Sequence, residues 1–402
     1  MNVRLRLKKG AGIFWLCLLA ILLITVAVGL FLYGAVSQTL RAAEIFEEEN
    51  PDRRRQMLYE FVDALGPVRA QEELSRAAPR ATNFHNLLHH LGKYMHDRFG
   101  ARGFEYCLDD FHMACRHGFM MHLAEKEDIA KTEGIVGEAN EGRGNTAGRY
   151  IQDSHVLGHV YAKFYRYDLA AALEGCDGFT SAHPNLSSSW CHYGVFMENA
   201  DHLDVFPDLL QSQEQDIFSP CTDLGKKYRW ACFTNQPRIM KLRMDRDLKK
   251  MAAACTTLAD SRDRSACSEG VVRFSYTSDK KLTSEDALAT CSYFPSEYQT
   301  RCAIFSATYA IWLGSNFIDF GIDICGRLDQ QYQHSCLEDI SDAVFLMHAN
   351  SPAAKIFCED IIEKRRDSRC EGLLKNGPVS SWNPENVDGF SPLQTGLTNL
   401  RN

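Results

Sequence analysis

The chain has no basic excess. Its 44 Lys and Arg stand against 52 Asp and Glu, a net charge of -8. No stripe of positive charge gathers anywhere along it, so the electrostatic footprint of a nucleic-acid binder is missing and that class is excluded. No Ser-His-Asp order, nucleotide loop, haem-attachment C-x-x-C-H or paired-carboxylate pattern rises above chance, and so no motif names a reaction. The five glycines of "KTEGIVGEANEGRGNTAG", 131–148, follow no strand and end in no Lys-Ser or Lys-Thr. That rules out a phosphate loop and leaves a linker as the expectation.

Charge is absent altogether from "AGIFWLCLLAILLITVAVGLFLYGAV", residues 11–36. The run is long enough to cross a bilayer as a helix and longer than the apolar part of an ordinary signal peptide. Arg4, Arg6, Lys8 and Lys9 precede it. This arrangement predicts a single-pass membrane protein with a cytoplasmic N-terminus and its bulk in the periplasm or another extracytoplasmic space. A cleaved signal peptide is the alternative, with "YGAVSQ" as a poor cleavage site.

Cysteine fits that topology. Of fifteen, Cys17 lies in the apolar run and fourteen lie beyond it, an even number that reads as disulfides in an oxidising compartment. In order they form neighbouring pairs: 107–115, 176–191, 221–232, 255–267, 291–302, 325–336 and 358–370. The first members of the last five pairs step by 34, 36, 34 and 33 residues, the second members by 35, 35, 34 and 34. Such a fixed period is that of a helical repeat. Stretches such as "CTTLADSRDRSAC" and "CGRLDQQYQHSC" read as a helix end, a polar turn and a new helix start. Each pair is then expected to bridge one antiparallel hairpin, while apolar runs such as "AIFSATYAIWLG" (303–314) supply the stacking faces.

In period and in having one bridge per repeat, residues 205–376 resemble the cysteine-rich, tetratricopeptide-like helical repeat proteins. The Trp, Leu-Gly and Tyr of the tetratricopeptide signature are absent, so the resemblance implies architecture alone, with a protein partner on the repeat surface as its usual use. The expected fold is all-α: an N-terminal transmembrane helix followed by a disulfide-stapled α-helical repeat array, a solenoid. Its parts are a cytoplasmic stub and anchor (1–36), a juxtamembrane helical linker (37–82), duplicated His-rich helical units (83–204), cysteine-paired repeats (205–376) and a disordered tail (377–402). Within the linker, Asn50 should cap and Pro51 open a helix, and Pro67 a second.

Twelve of the fourteen histidines fall between His85 and His202. Two H-x-x-x-H pairs, His85 with His89 and His155 with His159, match at an offset of 70, and "CRHGFMM" at 115 matches "CHYGVFM" at 191. Residues four apart share a helix face, so each pair can serve one ion. With His117, His122, His192 and Glu198 from the C-x-x-G helices, the expected site is a nitrogen-rich cavity for a transition metal: zinc, copper or iron. The layout is similar in geometry to type 3 copper proteins. His96, His112, His183 and His202 receive no role. Two readings follow. One is a membrane-anchored extracytoplasmic metal-binding protein, enzyme or not; the other is a non-catalytic interaction scaffold of the envelope or lumen in which the histidines merely pack.

Overall fold

The computed structural model describes residues 25, 40–77, 84–108, 114–140, 147–206, 216–275, 283–313 and 318–348. Every regular element among them is helical. The chain divides into two compact units, one ending at Ala81 and one beginning at Thr82.

In the first unit, helix α1 (Pro51–Leu65) starts as its composition requires. Proline occupies its first position, and the Asn50 side chain accepts from the amides of Asp52 and Arg53. Gly66, at φ +80°, ends it by donating to the Val62 carbonyl, and Pro67 then opens α2 (Pro67–Ala77). The predicted span at 11–36 lies outside the described residues except for helical Thr25; among the described residues no helix is long and apolar enough to cross a membrane.

The second unit runs α3 (Phe84–Phe99), a short turn of helix (Gly103–Tyr106), α4 (Ala114–Lys126), α5 (Ile129–Asn140), α6 (Ala147–Phe164), α7 (Leu169–Ala182) and α8 (Ser188–Val205). It continues with α9 (Lys226–Arg243), α10 (Leu248–Thr256), α11 (Ser261–Ser275), α12 (Ser284–Cys291), α13 (Ser296–Leu313), α14 (Ile318–Gly326) and α15 (Gln330–His348). Residues 131–140 of the expected linker belong to helix α5. Thr132, Val136 and Gly137 are buried along this helix while Gly134 is exposed, so packing of the buried side outweighs the low helix propensity of glycine.

Six of the expected bridges are present, 107–115, 176–191, 221–232, 255–267, 291–302 and 325–336, with Cα–Cα distances of 5.4–5.8 Å. The pair 358–370 and the tail 377–402 lie outside the described residues. All twelve of these sulfurs belong to buried residues, and each closes a short loop between a short helix or turn and the long helix after it. Loops of this length lower the entropy of the unfolded chain by about 3 kcal/mol each in the chain-entropy model.

The long helices α6, α9 and α13 are each 18 residues long. The connections after α6 and α9 are also alike. Arg166 and Tyr167 (φ 52° and 65°), and Asp245 and Arg246 (φ 52° and 59°), turn the chain through the left-handed region. Asp168 and Asp247 then cap the next helix. The same double hairpin thus recurs along the chain, with and without histidines. In sequence order α3, α4, α6, α8, α9, α11, α13 and α15 each pack on the next, and α15 also reaches α6. Contacts are therefore not confined to neighbouring repeats, as they would be in an open solenoid. One hydrophobic core runs from Ile151 to Ala343.

Candidate metal centre

Two reciprocal glycine contacts set the crossings that carry the histidines. A Cβ on Gly92 of α3 would stand 1.9 Å from the Cys115 carbonyl oxygen of α4, and one on Gly118 of α4 would stand 2.1 Å from the His89 carbonyl oxygen. In α6 and α8, a Cβ on Gly158 would meet the Cys191 oxygen at 1.9 Å and one on Gly194 the His155 oxygen at 2.0 Å. Backbones this close exclude any side chain at these positions. They also correct the register of the duplication. His89 and Gly92 correspond to His155 and Gly158, an offset of 66, so the repeated motif is H-x-L-G crossing C-x-x-G ("HHLG" on "CRHG", "HVLG" on "CHYG"). His85 and His89 are not the counterparts of His155 and His159; that match is displaced by one helical turn.

The crossings bring four imidazoles together. His89 lies 4.4 Å from His117 between ring centroids, and His117 lies 5.0 Å from His159 and 5.7 Å from His155. His155 and His159 are 4.7 Å apart, their Nε2 atoms 2.8 Å from each other. His117 is fixed by its neighbour: the Arg116 guanidinium forms a buried ion pair with Asp153 at 3.2 Å, pinning α4 to α6. Ser154 Oγ accepts from the Ser187 amide at 2.8 Å, tying α6 to the start of α8.

Glu198, from α8, completes the group. Its Oε2 is 2.8 Å from His159 Nδ1, and Lys163 Nζ is 3.5 Å from its Oε1. Burial works to raise the Glu198 pKa, but the hydrogen bond and charge of His159, with Lys163, hold it below the ordinary glutamate value. An ionised Glu198 can only accept, so His159 Nδ1 donates to it and Nε2 is turned toward His155. Two Nε2 atoms at 2.8 Å share one proton in a hydrogen bond, and a cation in its place requires them to part. Two imidazoles on a tetrahedral zinc ion, with bonds near 2.0–2.1 Å, hold their nitrogens about 3.3 Å apart. A carboxylate on the far nitrogen of an imidazole, as Glu198 is on His159, is an arrangement that also supports histidines in metal sites.

The other expected ligands are elsewhere. His192 is buried beside a separate carboxylate: its Nε2 is 2.9 Å from Asp177 Oδ1, while Lys227 Nζ and Tyr228 Oη each donate to Asp177 Oδ2 at 2.6 Å. Burial opposes ionisation of Asp177, yet the hydrogen bonds from His192, Lys227 and Tyr228 outweigh it and hold the carboxyl far below its ordinary value. This is a structural knot between α7, α8 and α9. His122 faces α3, where His96 and Asp97 meet it. The side chain of His85 lies outside the described residues. The eight expected ligands therefore do not share one site; His89, His117, His155, His159 and Glu198 lie in one cluster.

No family model, curated protein or solved structure matches the chain.

The next double hairpin provides an internal comparison. At its crossing a Cβ on Gly270 would stand 2.3 Å from the Thr234 carbonyl oxygen, beside Pro237, so Thr234 and Pro237 occupy the places of His155 and Gly158. The crossing persists there without imidazole. The histidine cluster is therefore not a requirement of the helix packing. His96 and Asp97 were missed by sequence spacing because their partner is on another helix, and only the crossing joins them.

Proposed function

We propose that the chain is a membrane-anchored, extracytoplasmic helical-repeat protein that binds a transition metal through His155 and His159, with His117 and His89 alongside and Glu198 behind His159. The observation that carries this is the pair of Nε2 atoms facing each other at 2.8 Å with a carboxylate on the far nitrogen of one ring. Neutral imidazoles with an outer carboxylate suit zinc, copper or iron. The apolar run at 11–36 supports anchoring, and six buried bridges support an oxidising compartment.

The test is elemental analysis of the full-length protein, purified in detergent, stripped with chelator and reloaded with zinc, copper or iron in turn. The expected result is stoichiometric metal in the wild type and its loss from His155 and His159 in a H155A/H159A double variant that keeps its helicity and bridges. If the wild type retains no metal, the scaffold reading replaces this one.

A further inference from the structure

A second group of ligand-type side chains lies further along the crossing of α3 and α4. His96 and Asp97 close α3, and His122 comes from α4. His122 Nε2 is 2.7 Å from Asp97 Oδ1, and His96 Nδ1 is 3.8 Å from the same oxygen. One donor atom from each residue lies within 4.8 Å of both others, the one such trio of His, Cys, Asp or Glu among the described residues. The spacings of 2.7 and 3.8 Å bracket the separation of about 3.3 Å that tetrahedral zinc imposes on its ligands.

Burial sharpens the case. The His122 side chain is 4% exposed and that of His96 13%, whereas Asp97 is 54% exposed, so the group is walled by α3 and α4 and open to water on the carboxylate side. His96 Nδ1 is buried with no hydrogen-bond partner. A buried imidazole nitrogen in that state is costly unless something engages it. Behind His122, Glu125 Oε2 stands 3.5 Å from Nδ1, within ion-pair range but not hydrogen-bonded as Glu198 is to His159.

The duplication shows what replaces this group in the next unit. By the register of the glycine contacts, His96 and Asp97 correspond to Ala162 and Lys163, and His122 corresponds to Glu198. There the Lys163 ammonium faces Glu198 at 3.5 Å. Where the crossing of α6 and α8 carries its own cation, that of α3 and α4 carries two imidazoles and a carboxylate.

We propose that His96, Asp97 and His122 form a second divalent-cation site with a zinc-type set of three protein ligands and a fourth position open to water. Seven residues separate His89 from His96, about 10 Å along the helix axis. That is too far for a dinuclear pair, which needs about 3.5–4 Å, so the two sites load independently.

The test is zinc stoichiometry and competitive zinc titration of the full-length protein. Three variants are compared: D97N, which keeps the shape of an exposed side chain, H96A/H122A and H155A/H159A. The wild type should hold two equivalents. D97N should bind one of them at least about 100-fold more weakly, beyond the effect of losing an outer-shell partner, and H96A/H122A should hold one. H155A/H159A should hold the other. If D97N and H96A/H122A both bind as much zinc as the wild type, or the wild type holds a single equivalent lost only from H155A/H159A, the second site is overturned and the first stands. If a single equivalent is lost only from H96A/H122A and weakened by D97N, the second stands and the first falls. A wild type that holds no zinc overturns both zinc sites.

Discussion

Gly158 and Gly194 each face the backbone of the other's helix, at a distance no side chain could occupy. A methyl group on Gly194 would lie 2.0 Å from the His155 carbonyl oxygen, and helical backbone cannot yield there as a flexible side chain would. G194A is expected to force α6 and α8 apart and to lower stability by about 1–3 kcal/mol or more. Because His155 sits on the displaced backbone, the same variant should weaken metal binding. Thermal unfolding followed by circular dichroism, together with zinc titration, checks both effects.

Arg273 links three helices. Its Nη1 donates to Tyr193 Oη at 2.6 Å, and its guanidinium lies over the rings of Tyr193, Phe305 and Tyr309. Y193F removes the acceptor from a buried charged donor and should cost about 1–3 kcal/mol in denaturant unfolding. The ring remains, and so should the nearby imidazole of His155, 5.2 Å from it. Zinc stoichiometry should not change.

The bridge Cys255–Cys267 closes a loop with a sequence separation of 12 residues. Replacing both cysteines with alanine should lower the unfolding free energy by about 3 kcal/mol, the entropic estimate for such a loop. Peptide mapping without reductant should show the other bridges unchanged and should also find 358–370. Pairing between successive repeats in that map would contradict the hairpin assignment.

Glu198 should make stability depend on acidity. Its pKa is depressed in the folded protein, so its stabilising contribution is complete above the unfolded glutamate value, about 4.3, and is lost as the pH falls through the lower folded value. The metal-free wild type should therefore lose stability more steeply than E198Q below about pH 5. Equal slopes for the two proteins would show that the Glu198 carboxylate is not held by His159.

Much of this architecture was legible in the residues. Cysteine pairing could be read because each bridge is local, closing a turn whose length repeats, and Asn50-Pro51 announced its helix through capping chemistry. The register of the histidines could not. His85, His89 and His155, His159 have identical spacing, and a shift of four residues returns a helix to the same face, so the spacing alone cannot distinguish one turn from the next. The deciding signal is the glycine three residues after His89 and His155, which acquires meaning only when a second glycine faces it across a crossing. The same limit hid His96 and Asp97. They are adjacent in sequence, but their chemistry depends on His122, which arrives from α4.

The return of α15 to α6 has a kinetic consequence. An open stack can nucleate at any repeat and fray from its ends, since each piece is stabilised by the next. Here a helix at 147–164 and one at 330–348 share contacts, so closing a loop that spans all the repeats between them is part of completing the core. Contacts of such high sequence separation slow folding, because the entropy of loop closure is lost before the contacts form. During synthesis the helix that carries His155 and His159 therefore waits for α15 to emerge, and shortening the chain from its C-terminal side past α15 loosens α6 before it reaches the repeats in between.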